Sequence, residues 1–288
     1  MMKKKILLFG ATGMAGHLIY LKLKEIGIYE IVSVVYRNKL TTNCLVLDVT
    51  RKDEVLALVR RERPDYIINA VGVLIKNSLE HPDNAIFLNA YFPHLLARVS
   101  DEVGAKLIHI STDCVFSGKK GSYAENDLRD ADDIYGKSKG LGEVITKNHL
   151  TLRTSIIGPE IKSEGEGLFH WFMNQRGSIN GFVNAFWSGI TTLQLSKAII
   201  LVLQKNLCGL IHVTNGIKIS KYDLLKLFIE LWKREDLSLE VFEGKFVDKS
   251  LKVSTQFNFK IPGYKDMLIE QRAWMEAHED LYGYQYLR

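Results

Sequence analysis

Residues 5–16 read Lys-Ile-Leu-Leu-Phe-Gly-Ala-Thr-Gly-Met-Ala-Gly, and this stretch decides the fold. The apolar run at residues 5–9 is typical of a strand buried on both faces of a parallel sheet. Gly10, Gly13 and Gly16 follow it, and apolar residues then recur at helical spacing to residue 26. A strand, a glycine turn and a helix in this order bind the pyrophosphate of a dinucleotide at the helix N-terminus. Of the three glycines, we expect the first to allow the tight turn, the second to let the pyrophosphate approach and the third to let the helix pack closely.

The next strand, predicted at residues 31–36, ends where such a fold meets the adenine ribose of its cofactor. A carboxylate there would accept a hydrogen bond from the 2′-hydroxyl of NAD. The sequence has Arg37, Asn38 and Lys39 instead, and a basic group suits the 2′-phosphate of NADP. The sequence therefore favours NADP(H), with NAD(H) as an alternative, unless the three residues only form a solvated turn.

Strand and helix patterns alternate along the chain to about residue 155 and loosen afterwards. We predict an α/β fold with a Rossmann-like doubly wound parallel sheet and a smaller, interleaved C-terminal substrate-binding lobe. Residues 1–155 form the nucleotide-binding domain, residues 190–215 return to it, and residues 156–288 mainly form the lobe. Between residues 160 and 190, six aromatic residues either line a substrate pocket or fill the core of the lobe. They are Phe169, Trp171, Phe172, Phe182, Phe186 and Trp187.

The sequence Tyr-Gly-Lys-Ser-Lys at residues 135–139 is the strongest candidate for chemistry. In a helix predicted over residues 134–147, Tyr135 and Lys139 lie one turn apart on the same face. We expect the ammonium to lower the pKa of the phenol towards neutrality, which would fit the tyrosine for proton transfer. Thr112 follows the strand predicted at residues 106–110, where this class of sheet binds its ligands. The alternative is a surface tyrosine beside a solvated lysine.

Composition places few further limits on function. The chain has 288 residues, 47% of them hydrophobic, 25% charged, and a net charge of +5. These values describe an ordinary globular protein, and no basic stripe with interleaved aromatic residues indicates a nucleic-acid polymer as partner. The three cysteines have neither metal-ligand nor disulfide spacing, so we expect no metal and a reduced, cytoplasmic setting. The apolar run after Lys3 breaks at Gly10, and we expect neither a signal peptide nor a membrane partner.

The glycine turn, the Ser-Thr-Asp-Cys-Val-Phe stretch at residues 111–116, the Tyr-Gly-Lys-Ser-Lys motif and the Arg-Thr-Ser at residues 153–155 occur in one chain. Together they resemble the extended branch of the short-chain dehydrogenases/reductases. Within it they are similar to dTDP-4-dehydrorhamnose reductase and related nucleotide-sugar 4-ketoreductases. The resemblance covers nearly the whole chain.

This resemblance implies the roles of the site residues. Thr112 would bind the substrate carbonyl oxygen, Tyr135 would be the general acid, and Lys139 would lower the pKa of the tyrosine and hold the nicotinamide ribose. Expected cofactor contacts are Gly10, Thr12, Gly13, Met14, Gly16, Arg37, Asp48, Val49, Ala70, Val71, Gly72, Tyr135 and Lys139. Expected substrate contacts are Thr112, Asp113, Tyr135, Ile156 and Trp187.

The resemblance further implies NADP(H)-dependent reduction of a nucleotide-activated 4-keto-6-deoxysugar, in the synthesis of cell-surface polysaccharide precursors, by a monomer or homodimer. Ile156 stands where the rhamnose-pathway enzymes usually have tryptophan, and Cys114 where they have tyrosine. The sugar is therefore open between dTDP-4-dehydrorhamnose and a UDP-linked N-acetylated analogue. Two other functions are alternatives: an epimerase or dehydratase on the same scaffold, and a non-catalytic regulatory subunit that binds NADP.

Overall fold

The computed structural model describes residues 3–285. Its centre is a sheet of seven strands in the order β11-β6-β5-β4-β1-β2-β3, and all the pairings in it are parallel. The strands of the chain are β1 Lys4–Phe9, β2 Tyr29–Val35, β3 Leu45–Val46, β4 Tyr66–Asn69, β5 Lys106–Thr112, β6 Leu150–Thr154, β7 Ile156–Ile157, β8 Gly177–Phe182, β9 Ala185–Trp187, β10 Ile190–Thr191, β11 Gly209–Val213, β12 Ile219–Ser220, β13 Leu237–Phe242 and β14 Val247–Asp248.

Helices cover both faces of this sheet, as the predicted doubly wound fold requires, and the fold class is confirmed. One face carries α1 packed on α8, and the other carries α2 packed on α5. The helices are α1 Gly16–Ile26, α2 Lys52–Glu62, α3 Ile75–Glu80, α4 Pro82–Ala85, α5 Phe92–Val103, α6 Ile134–Leu141, α7 Leu168–Met173, α8 Thr192–Leu203, α9 Lys221–Trp232 and α10 Tyr264–Glu276. None of the helices within residues 3–285 is both long and apolar enough to cross a bilayer.

The strand order reverses between β1 and β4, and this reversal fixes the position of the site. Neighbouring strands at such a point send their connections to opposite faces of the sheet, so a crevice opens outside their carboxyl ends. The glycine turn after β1 and the residues from Ala70 onward after β4 both lie at this crevice.

α6 is shorter than predicted, and close packing near Asn89 limits its length. The helix predicted over residues 134–147 ends at Leu141, between two glycines of low helix propensity. Gly142 packs so closely on the backbone of Asn89 that an added Cβ would lie 1.8 Å from the Asn89 carbonyl oxygen. A π-helical turn, Ile86–Tyr91, which contains Asn89, directly precedes α5.

The residues after β6 contribute to both parts of the molecule. α8 and β11 join the main sheet region, since β11 pairs in parallel with β6 and α8 packs on α1. Small sheets form the remainder, with β13 paired to β8 and β9 between β12 and β14. That these small sheets form a substrate-binding lobe stays a prediction.

Candidate active site

The glycine turn after β1 has the close packing that its spacing predicts. Gly10 has φ +83°, and a Cβ there would lie 2.9 Å from the carbonyl carbon of Ala70, so only glycine fits. A Cβ on Gly16 would lie 2.0 Å from the carbonyl oxygen of Gly10, which explains how α1 begins directly against the turn. Gly13 faces the crevice. The turn therefore brings backbone close to the crevice at the start of α1, and these residues fit a pyrophosphate.

Thr112 and Asp113 lie at the carboxyl end of β5, on the same crevice. The Thr112 hydroxyl donates to the Asp113 carboxylate at 3.1 Å and accepts from the backbone N–H of Cys114 at 3.1 Å. Both side chains are buried. Their rotamers are thus fixed by a short turn that begins where the strand ends.

Tyr135 and Lys139 project from α6, which Asp133 caps by accepting from the backbone N–H of Gly136 at 2.7 Å. Both side chains are buried, so the alternative of a surface tyrosine beside a solvated lysine is wrong. The Lys139 ammonium donates to the Ile110 carbonyl oxygen at 2.8 Å, which ties α6 to β5. A Cβ on Gly72 would lie 3.8 Å from the Lys139 Nζ. The ammonium therefore faces the strand end along which a cofactor is expected.

The pKa of Tyr135 is raised, and our expectation that Lys139 would lower it is wrong for the protein alone. Burial raises this pKa most. At the high pH where the phenol titrates, the Cys114 thiolate and the Asp113 carboxylate raise it further, while hydrogen bonding from Thr112 opposes them. Burial also lowers the pKa of Lys139 to about 8. Desolvation thus outweighs the attraction that the sequence spacing suggested, and the phenol stays protonated at neutral pH.

A cavity of about 520 Å³ connects these groups. It brings together eleven of the residues predicted for the site, while Gly10, Thr12, Gly16, Arg37, Asp48 and Val49 do not line it. The eleven are Gly13, Met14, Ala70, Val71, Gly72, Thr112, Asp113, Tyr135, Lys139, Ile156 and Trp187. Arg37 is exposed at the end of β2, where its guanidinium lies 4.6 Å from the centre of the Tyr36 ring. A groove of about 770 Å³ at the amino ends of the strands contains none of the predicted residues.

The aromatic residues of the segment from 160 to 190 divide between the two predicted roles. Phe169 and Phe172 are buried in the core against Phe228. Trp187 is buried and lines the cavity, where its indole N–H donates to the Ser155 hydroxyl at 2.6 Å.

Sequence reasoning missed several cavity residues, among them Ser155, Glu160 and Lys221. Ser155 lies next to Ile156, and Glu160 lies in the following loop, where its carboxylate accepts from the backbone N–H of Gly167 at 2.8 Å. Lys221 is the first residue of α9 and lines the cavity beside Trp187. Its only signal in the sequence is its place directly after Ser220, whose hydroxyl caps the helix by accepting from the backbone N–H of Asp223.

A glycine turn at the strand reversal, with a buried Tyr-Lys pair and a threonine on the same cavity, defines a dehydrogenase/reductase of the extended short-chain type. The family model of the RmlD substrate binding domain matches residues 3–277, so the chain belongs to that family. The resemblance inferred from the motifs is thereby confirmed.

Known relatives carry names from nucleotide-sugar metabolism. The chain is 27% identical to the spore coat polysaccharide biosynthesis protein SpsK of Bacillus subtilis, with 95% of each chain covered. It is 31% identical to the dTDP-4-dehydrorhamnose reductase of Aggregatibacter actinomycetemcomitans, over 52% of this chain and 51% of that one. The alignment with this reductase therefore spans only about half of its length. The predicted enzyme class, an NAD(P)-dependent oxidoreductase among nucleotide-sugar reductases, is confirmed.

Solved structures share the fold. The dTDP-4-dehydrorhamnose reductase of Bacillus anthracis in complex with NADP has a TM-score of 0.80 at 23% identity, with 95% of this chain and 100% of that chain covered.

Another relative by sequence is the methionine adenosyltransferase 2 subunit beta of Danio rerio, 30% identical over 57% of this chain and 51% of that one.

Proposed function

We propose that this protein reduces the keto group of a nucleotide-activated 4-keto-6-deoxysugar, with NADP(H) favoured and NAD(H) as the alternative cofactor. The observation that carries the proposal is the single cavity on which Tyr135, Lys139 and Thr112 meet the glycine turn. The nearly full-length similarity to a polysaccharide biosynthesis protein and the NADP held by a structural neighbour support it.

The cofactor, when bound, supplies the hydride that the carbonyl carbon takes up. The chain's own residues do the rest. On substrate binding, the Thr112 hydroxyl turns its one proton from Asp113 to the carbonyl oxygen. Tyr135 donates its phenolic proton to that oxygen as it becomes an alcohol. Since burial keeps the phenol protonated, Tyr135 is in the form that reduction requires at neutral pH. Lys139, held at the Ile110 carbonyl, places a positive charge beside Gly72 and fits the ribose and the developing charge of the tyrosine.

We propose cofactor roles for residues outside the cavity as well. Gly10 and Gly16 shape the turn, and Thr12 lies within it, so we propose that the turn takes the pyrophosphate. Arg37 is free to rotate towards a 2′-phosphate because it is exposed. Asp48 and Val49 lie shortly after β3, and we propose that they contact the adenosine of the cofactor.

On the sugar side, the cavity wall consists of Asp113, Cys114, Ile156 and Trp187. Burial raises the pKa of the Cys114 thiol to about 11, so this residue offers a neutral wall and no nucleophile. We propose that Ile156 and Cys114 set the preference among dTDP- and UDP-linked sugars.

A regulatory subunit without turnover is the second candidate, favoured by the similarity to the methionine adenosyltransferase subunit. The buried Tyr135, Lys139 and Thr112 favour catalysis instead, because a subunit without turnover needs no proton donor in its cavity.

The deciding experiment follows NADPH oxidation with a panel of dTDP- and UDP-linked 4-keto-6-deoxysugars. We expect consumption with at least one of them, and one equivalent of alcohol formed for each NADPH consumed. Binding of NADPH without consumption on any member of the panel would instead support the regulatory subunit. Whether the chain works as a monomer or a homodimer is measured in the same preparations by light scattering.

A further inference from the structure

Lys221 places an unpaired ammonium at the sugar side of the cavity. It is the first residue of α9, it is partly buried, and it lines the cavity. Its Nζ lies 5.4 Å from the centre of the Trp187 ring. Within residues 3–285 this ammonium has neither a carboxylate within ion-pair distance nor a hydrogen-bond acceptor, and besides the Trp187 ring it is affected by burial and by the charges of neighbouring groups.

The charges around Lys221 leave an excess of positive charge. Asp113 is the carboxylate whose charge acts on it most strongly, and the ammonium of Lys249 lies close enough to repel it. Cys114 is neutral because its thiol pKa is about 11. The N-terminus of α9 adds a further partial positive charge, against which a lysine in the first turn is unfavourable. Lys221 itself thus faces one carboxylate, Asp113, against a second ammonium and a helix N-terminus, while the Asp133 carboxylate acts on Lys249. A ligand that supplies acceptors would therefore stabilise the Lys221 ammonium.

Hydrogen bonds hold the part of the cavity wall that Lys221 contacts. Trp187 donates its indole N–H to the Ser155 hydroxyl, and Ser155 in turn hydrogen-bonds to the Asp113 carboxylate. Asp113 directly follows Thr112 and accepts from its hydroxyl. This chain of contacts keeps Lys221 on the same wall as the residue proposed to hold the reacting carbonyl, and so beside the sugar ring.

We propose that Lys221 is a specificity-determining residue that donates a hydrogen bond to an oxygen substituent of the sugar ring, next to the carbonyl that is reduced. The inference rests on the proposed function and adds the sugar contact to it. Asp113 accepts a hydrogen bond from a hydroxyl of the same ring. Lys221 thus recognises an acceptor on the substrate and Asp113 recognises a donor.

Replacing Lys221 by methionine tests this, because methionine keeps the length of the stem and removes the charge. We expect the KM for the nucleotide sugar to rise about ten- to hundredfold, as for the loss of a hydrogen bond from a charged donor. We expect kcat to stay within about threefold and the Kd of NADPH to stay unchanged, and Lys221→Arg to recover part of the loss. A merely structural role would change kcat, KM and thermal stability together.

Lys218→Met is the matched control. Lys218 also lies over an aromatic ring of β9, 4.6 Å from the centre of Phe186, but it is exposed, pairs with Asp248 and does not line the cavity. We expect its KM to equal that of the unchanged protein. A KM for Lys221→Met within about twofold of the unchanged protein would overturn the inference and leave the proposed function intact.

A second measurement distinguishes failure of the proposed function from failure of the Lys221 inference. If the unchanged protein reduces no sugar in the panel, the proposed function fails. Calorimetry with UDP- and dTDP-linked sugars that bear a hydroxyl at the reacting carbon, in the presence of NADP⁺, then tests Lys221 alone. Weaker binding to Lys221→Met supports the inference, whereas equal binding to both proteins, or binding to neither, overturns it.

Discussion

The Lys139 ammonium donates to the carbonyl oxygen of Ile110 at 2.8 Å, two residues before Thr112. One hydrogen bond thus joins the helix that carries the proposed general acid to the strand that carries the proposed carbonyl-binding residue. Because burial holds the pKa of Lys139 at about 8, the charge on this contact is lost within the experimental pH range.

The affinity for NADPH should therefore depend on pH through Lys139. The ammonium form predominates below pH 8, and we expect the Kd to rise as the pH increases through about 8. Lys139→Arg should abolish this dependence, since a guanidinium stays charged. Fluorescence titration of both proteins between about pH 6.5 and 9.5 measures the effect. The same alkaline rise in the arginine variant would show that another group titrates.

Tyr135→Phe should lower kcat by at least about a hundredfold, as expected for the loss of a general acid. The Kd of NADPH should change little, because the ring and the Lys139 contact remain. Stopped-flow or steady-state NADPH oxidation provides the measurement, with Tyr91→Phe, a half-exposed tyrosine, as the control. Full turnover by Tyr135→Phe would remove Tyr135 from the mechanism.

Local sequence patterns predicted which residues come together at the cavity better than they predicted the electrostatics of these residues. The glycine turn, the end of β5 and Tyr135–Lys139 follow from spacing, since each is a short segment whose partners lie at one edge of a parallel sheet. The raised pKa of Tyr135 could not be predicted from this spacing. It depends on burial by residues distant in sequence, and that desolvation exceeds the effect of a lysine one helical turn away.

The position of Lys221 on the cavity could likewise not be predicted from local sequence. It reaches the site only because β12 pairs antiparallel with β9, with Ser220 opposite Phe186 and Ile219 opposite Trp187. Both strands are short, and no local pattern determines a pairing between two segments that lie more than thirty residues apart. Sequence patterns therefore predicted the cavity residues around Tyr135 and Lys139 more completely than those around Lys221.

Arg37→Asp should weaken NADPH binding about tenfold or more while NADH binding changes less or improves, because a carboxylate repels the 2′-phosphate and accepts from a 2′-hydroxyl. Parallel Kd measurements for both cofactors test this. Arg98→Asp makes the same charge change on an exposed face of α5 and should leave the ratio unaltered. An unchanged ratio in Arg37→Asp would identify Arg37 as a solvated turn residue.

Glu143→Gln should destabilise the protein by about 3–5 kcal/mol, since it leaves a buried guanidinium without its counter-charge. The Arg153 guanidinium binds both carboxylate oxygens of Glu143, at 2.8 and 2.7 Å, and both side chains are fully buried. Ser111 donates to the same carboxylate at 2.8 Å, so the pair also anchors the end of β5.

The control for this change is Glu102→Gln. Glu102 also pairs with an arginine, Arg60, at 2.7 Å, but both side chains are exposed, and such pairs contribute about 1 kcal/mol or less. Urea unfolding of the three proteins gives the comparison. Equal losses in the two variants would mean that burial does not strengthen the inner pair.

The fold should lose stability as the pH falls, because His212 titrates differently in the folded and unfolded chains. Burial and the neighbouring charge of Arg153 lower the pKa of this histidine to about 4, below its ordinary value. Its Nε2 lies 2.9 Å from the Arg153 Nη1, which donates to it, and its Nδ1 donates to the Lys252 carbonyl oxygen. Between about pH 6.5 and 4 the unfolded chain therefore binds a proton that the folded chain does not, and stability is lost as the pH falls, up to about 3 kcal/mol.

Replacing His212 by glutamine separates this titration from others, because the amide offers an acceptor and a donor but does not titrate. We expect the free energy of unfolding to fall less steeply between pH 6.5 and 4.5 in His212→Gln than in the unchanged protein. Some slope should remain, since burial also lowers the pKa of His17 to about 4, and His17→Gln in the same background should reduce it further. Urea unfolding at closely spaced pH values measures these slopes, and identical slopes in all three proteins would show that neither histidine carries the acid sensitivity.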